Sequence, residues 1–125
     1  MHVLMVDDTK TILLLGQMML QAERYEMSTA LNGREALEVV KKKRPDVIVL
    51  DVMMPEMDGI ETCRRLKSDP ATKDIPVMML TTKGENDMVE KAFAAGCDDY
   101  ATKPFTKLEL VGKIKALLAK KKTPG

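Results

Sequence analysis

Short, wholly apolar runs alternate along this chain with longer segments in which apolar residues recur every three or four positions. Val3-Leu4-Met5-Val6 is the first run, and Val47-Ile48-Val49-Leu50 is the clearest. An unbroken row of β-formers suits a strand buried on both faces, which is the environment of a parallel sheet. Tyr25 to Leu31 predicts a weaker second strand, and its Glu26, Ser28 and Thr29 suggest an edge or near-edge place. Ile75 to Leu80 predicts a fourth strand, with Pro76 tolerable near its start. Asp99 to Thr102 predicts a short fifth.

The intervening segments have helical spacing. Thr11 to Glu23 predicts a helix with Ile12, Leu15, Met19 and Ala22 on its buried face. Asn32, with Glu35 three residues on, predicts a capped helix that presents Ala36, Leu37 and Val40 and ends before Pro45. Asp58-Gly59-Ile60-Glu61 repeats that pattern for a third helix reaching about Ser68. Glu85 to Ala95 predicts a fourth, closed by Gly96. Thr106 and Glu109 form a capping box for a last helix, with Leu110, Ile114, Leu117 and Leu118 inward. Five strand–helix units in strict alternation, joined by right-handed crossovers, predict a three-layer α/β sandwich with a parallel five-stranded sheet.

A chain of 125 residues suits one such domain. Residues 1–120 are expected to form it. Residues 121–125 are expected to be a basic tail or the start of a linker, because Thr123-Pro124-Gly125 cannot continue a helix. Aromatic residues make up only 3% of the chain, so aliphatic side chains and 11 methionines must fill the core; Met18, Met19, Met78 and Met79 are assigned to it. The formal net charge of +1 gives no global electrostatic case for nucleic acid or for an anionic membrane. Lys113, Lys115, Lys120, Lys121 and Lys122 read as a solvated face at a helix C-terminus, where the dipole favours cations. Cys63 and Cys97 lack metal-site or disulfide spacing and read as buried thiols, and His2 has no evident ligand partners. Neither a leader-like segment nor a run long enough to span a membrane is evident, so a cytoplasmic location without membrane insertion is expected.

In an open parallel sheet, ligands bind beyond the carboxyl ends of the strands. Asp7 and Asp8 follow the first strand, Asp51 the third, Thr81 and Thr82 the fourth, and Lys103 and Pro104 the fifth. Taken singly, each has a plain structural use: Asp8 could cap the first helix, Thr81 could be a turn residue, and Lys103 could be solvated. Together they place three carboxylates, a hydroxyl and an ammonium at one end of the sheet. Three close carboxylates resist joint ionisation unless a cation is present, and a hard, oxygen-preferring divalent ion such as Mg²⁺ suits them. A carboxylate so placed can attack phosphorus, with the transferred oxygens stabilised by metal, hydroxyl and ammonium.

Val6-Asp7-Asp8, Leu50-Asp51-Val52-Met53-Met54-Pro55 with Asp58-Gly59, Thr81-Thr82, and Asp99-Tyr100 followed by Lys103-Pro104-Phe105 are the motifs of a known family. Over essentially its full length the chain resembles the CheY-like receiver domains of two-component response regulators. That resemblance implies a flavodoxin-like fold with strand order 2-1-3-4-5. It implies Asp51 as phosphoacceptor and Mg²⁺ held directly by Asp8, Asp51 and the Met53 backbone carbonyl, with Asp7 acting largely through water. Thr81 and Lys103 would hold the transferred group, and the Lys103-Pro104 peptide would be cis. Tyr100 would be the switch aromatic that reshapes the surface of the fourth helix, fifth strand and fifth helix. The implied partners are a sensor histidine kinase or histidine phosphotransfer protein and a downstream output protein or appended effector domain. A phosphorylation-dependent homodimer is a further expectation, and direct nucleic-acid binding by this domain is not expected. The domain would catalyse only its own phosphorylation and dephosphorylation. Met53 and Lys83, two residues after Asp51 and Thr81, offer no carboxylate or amide to orient an attacking water, so slow self-dephosphorylation is expected.

A haloacid-dehalogenase-like phosphatase would use similar groups but needs an acid two residues after its nucleophile, where Met53 stands, and its other acids come late in the chain. A pseudo-receiver that only binds partners would carry a degraded pocket, and this one is intact. A flavin site is disfavoured by the acidic first turn and the scarcity of aromatics.

Overall fold

The computed structural model describes residues 1–54, 57–82 and 86–122. Pro55, Glu56, Lys83, Gly84, Glu85 and the stretch 123–125 lie outside it, as do the side chains of Asn86, Lys121 and Lys122. The elements run β1 (His2–Val6), α1 (Lys10–Leu20), β2 (Glu26–Ala30), α2 (Gly33–Lys42), β3 (Val47–Asp51), α3 (Gly59–Ser68), β4 (Val77–Thr82), α4 (Asn86–Ala94), β5 (Asp99–Lys103) and α5 (Lys107–Lys122). All strands are parallel, in the order β2-β1-β3-β4-β5. The weaker, half-polar β2 does lie at an edge, and β3 with its four apolar residues is central.

Because alternate residues of a strand face opposite ways, each central strand feeds two cores. Leu4, Val6, Ile48, Leu50 and Met79 pack against α2, α3 and α4. Val3, Met5, Val49, Met78 and Leu80 pack against α1 and α5. Both predicted thiols are buried, and burial pushes them up, Cys63 to about 11 and Cys97 to about 12. His2 is buried too, and its Nε2 lies 2.6 Å from Ser28 Oγ.

Three expectations need correction. The buried side of α1 is Leu13, Gly16 and Leu20, with the expected Ile12 and Met19 half-buried against the same core, while Leu15 is 40% and Met18 62% exposed. The cause is Gly16, where a Cβ would lie 2.2 Å from Met5 Sδ. Its bare backbone settles onto the sheet and turns Leu14, Leu15 and Met18 outward. The helix also ends earlier: Gln21–Glu23 tighten into a 3₁₀ turn, closed by Arg24 at φ 59°. β4 starts at Val77 rather than Ile75, because Ile75 donates its N–H to Thr72 in the preceding turn and Pro76 has no N–H to give. At the other end of the chain, α5 runs through Lys122.

Candidate phosphoryl-acceptor site

The carboxyl ends of β1, β3, β4 and β5 converge on one acidic depression. Asp7 leaves β1 fully buried, and its Oδ1 accepts the Thr9 N–H at 2.9 Å. That bond closes the turn into α1, whose N-cap is Thr9. The capping role considered for Asp8 is therefore not taken up, and Asp8 is exposed at the mouth. Asp51 ends β3 and is 5% exposed, and Lys103 ends β5. Thr81 lies within β4 rather than after it, buried, one residue beyond the register partner of Asp51. Its own register partner is Thr102, next to Lys103.

Lys103 crosses from the edge strand into the depression. Its Nζ lies 2.8 Å from Asp7 Oδ2 and 3.2 Å from Asp51 Oδ1. The Lys103–Pro104 peptide is cis. On the other side, the start of α3 presses against the acceptor strand. Asp58 caps that helix by accepting the Glu61 N–H at 2.8 Å, and the Gly59 N–H donates to Val52 O at 2.9 Å. A Cβ on Gly59 would stand 2.1 Å from the Asp51 carbonyl oxygen, so only glycine allows this approach.

Electrostatics follow from that packing. Burial, then the Asp7 carboxylate, push the Asp51 carboxyl up to about 6, against the pull of Lys103 and of the Met53 N–H. Burial pulls the Lys103 ammonium down, but Asp7 and Asp51 outweigh it and its pKa is raised. Asp7, Asp8 and Asp51 each offer an oxygen, all within 4.8 Å of one another. Among the described residues of this cluster, three carboxylates face one ammonium, a deficit of two charges. Asp7 Oδ2 is buried against the Lys103 ammonium at 2.8 Å. An all-oxygen donor set with a charge deficit of two, open to water at Asp8, fits a hard divalent cation such as Mg²⁺.

Tyr100, the expected switch residue, is on edge strand β5 with its ring outward and 37% exposed. Its neighbours are Phe93 from α4, Lys113 from α5 and the adjacent Asp99, and of these the sequence reading gave Phe93 no role. Phe93 reads in sequence as an unremarkable helix residue; the only signal was that it is one of four aromatics, close before Tyr100. Lys83 lies outside the described residues. Met53 is 54% exposed beside the acceptor.

Fold and site together define a doubly wound α/β module that carries an acidic, lysine-braced pocket at its strand ends. A family model described as the response regulator receiver domain matches residues 3–115. The chain is 45% identical over 116 residues to the phosphate regulon transcriptional regulatory protein PhoB of Pseudomonas aeruginosa, covering 93% of this chain and 51% of that protein. It is 41% identical to the response regulator PleD of Caulobacter vibrioides, covering 93% of this chain and 26% of that protein. The chemotaxis response regulator CheY4 of Vibrio cholerae superposes with a TM-score of 0.86 at 35% identity, over 93% of this chain and 97% of that one. The chain belongs to the response regulator receiver domain family. It spans about half the length of the first curated relatives it matches.

Proposed function

We propose that this domain accepts a phosphoryl group on Asp51 from a sensor histidine kinase or a histidine phosphotransfer protein. The observation that carries the proposal is the buried Asp51 carboxylate, flanked by Lys103 at 3.2 Å and clustered with Asp7 and Asp8. With a pKa near 6, Asp51 is mostly anionic at neutral pH yet more basic than an ordinary carboxylate, which suits a nucleophile. An Asp51 carboxylate oxygen attacks phosphorus, the phosphorus–nitrogen bond of the donor phosphohistidine breaks with its electron pair left on the imidazole nitrogen, and that nitrogen takes a proton from solvent. Lys103, 3.2 Å from Asp51 Oδ1, would pair with a transferred oxygen, and the Thr81 hydroxyl would supply a second partner.

Asp8, Asp51 and the Met53 carbonyl would hold Mg²⁺ directly, with Asp7 acting largely through water. The ion, when bound, supplies positive charge to the transferring oxygens. The domain catalyses nothing beyond its own phosphorylation and dephosphorylation. Met53 and Lys83 supply no group to orient water, so the acyl phosphate is long-lived. The added charge at Asp51 draws Thr81 toward it. Tyr100 turns inward, and the α4–β5–α5 surface changes for an output protein, an appended effector domain or a second phosphorylated copy. Relatives that are transcriptional regulators about twice as long support an appended effector. The receiver would occupy residues 1–120, with 121–125 a basic tail or linker start, in the cytoplasm.

The test is intact mass after incubation with a small acyl-phosphate donor. One added phosphoryl group is expected with Mg²⁺, and none in Asp51→Asn or in chelator. No gain under any condition would leave a pseudo-receiver that only binds partners.

A further inference from the structure

Tyr100 is gripped from both faces of the sheet. Phe93 of α4 meets its ring edge-on, with centroids 5.8 Å apart and planes at 88°. Lys113 of α5 places Nζ 5.8 Å from the ring centroid. That ammonium is itself held by Asp99, at 3.3 and 3.4 Å from its two carboxylate oxygens. The Asp99 carboxylate also accepts the Tyr100 N–H at 2.8 Å, so the anchor and the ring share one piece of backbone.

Register adds the link to the acceptor. Tyr100 pairs with Met79, and Thr102 with Thr81, so Tyr100 and Thr81 share the α4-facing side of adjacent strands. The outward ring and the threonine are therefore diagonal neighbours, and any inward turn of Tyr100 must first break its contacts with Phe93 and Lys113.

We infer that Phe93 and the Lys113–Asp99 pair are positioning residues that hold Tyr100 outward and so set how far the unphosphorylated domain is biased against its active surface. This rests on Tyr100 being the switch proposed above. Edge-to-face and cation–π contacts are each strong enough to shift a two-state ratio by about 2- to 10-fold. A ligand that selects the inward state gains affinity in proportion to the population released.

Two measurements test this. The first is the affinity of the Mg²⁺-loaded domain for beryllofluoride, a phosphoryl mimic. Phe93→Ala and Lys113→Met should each bind about 2- to 10-fold tighter than wild type, and the Phe93→Ala gain should vanish in a Tyr100→Ala background. Unchanged or weaker binding, or a gain that survives without Tyr100, would overturn the inference. The second is a Phe93→Ala/Tyr100→Ala cycle on urea unfolding of the metal-free protein, which involves no phosphoryl chemistry. A coupling of about 2- to 10-fold in the unfolding constant is expected, and its absence would overturn the clamp. If wild type ignored beryllofluoride while the cycle showed coupling, the phosphoryl-switch proposal would fail, and with it the bias assigned to Phe93.

Discussion

Asp51→Asn should stabilise the metal-free protein. Asparagine has the shape of a neutral carboxyl, so it takes the energy of the protonated form at every pH. The folded carboxyl titrates near 6, against 3.8 for an ordinary aspartate, because burial and Asp7 disfavour its charge. A raised folded value means that the native state binds the proton more tightly than the unfolded chain. Wild-type stability is then full below about pH 4, falls as pH rises toward 6 and stays low above. Two units correspond to roughly 3 kcal/mol, and relaxation or water entry would reduce this to about 1–3 kcal/mol at pH 8. Urea unfolding in chelator, at pH 8 and again near pH 4, reads the difference. The variant should be the more stable at pH 8, and the two proteins should converge near pH 4. With saturating Mg²⁺ the gap should shrink or reverse, since wild type alone offers the full ligand set. A variant no more stable than wild type at pH 8 in chelator would mean that Asp51 carries no such strain.

Three further outcomes follow from the packing. Gly59→Ala would drive a Cβ to within 2.1 Å of the Asp51 carbonyl, so α3 or the end of β3 must shift; a loss of about 1–3 kcal/mol by urea unfolding and slower acyl-phosphate uptake are expected. Leu13→Ala should cost about 2–5 kcal/mol while Leu15→Ala costs under about 1 kcal/mol, and equal costs would contradict the assigned face of α1. Met53→Asn should shorten the acyl-phosphate lifetime by giving an attacking water an amide partner, and a wild-type half-life of seconds, unchanged in the variant, would contradict the slow-loss expectation.

Strand identity was legible because a parallel sheet demands unbroken apolar rows, and Val3–Val6 and Val47–Leu50 supply them. The convergence of Asp7, Asp51 and Lys103 was legible for a related reason: strand ends in such a sheet share one rim. What failed was what depends on contact rather than period. The α1 spacing pointed to Ile12, Leu15 and Met19, and a glycine seated over Met5 puts Leu13, Gly16 and Leu20 deepest instead. Thr81 was expected after its strand, yet pairing with Thr102 carries β4 two residues further. Asp8 looked able to cap α1, but Asp7 had already taken the Thr9 N–H. The Phe93–Tyr100–Lys113 contact joins three elements across a sheet edge, and no local spacing encodes it.

The most direct measurement is chemical mapping of the modified residue. The domain would be loaded with an acyl-phosphate donor and Mg²⁺, reduced with borohydride, digested and sequenced by mass. Reduction converts an aspartyl phosphate to homoserine, so homoserine at position 51, dependent on both donor and metal, is the predicted result. Homoserine at Asp7 or Asp8, or at no position in a sample that carried the phosphoryl mass, would contradict the assignment of Asp51 as acceptor.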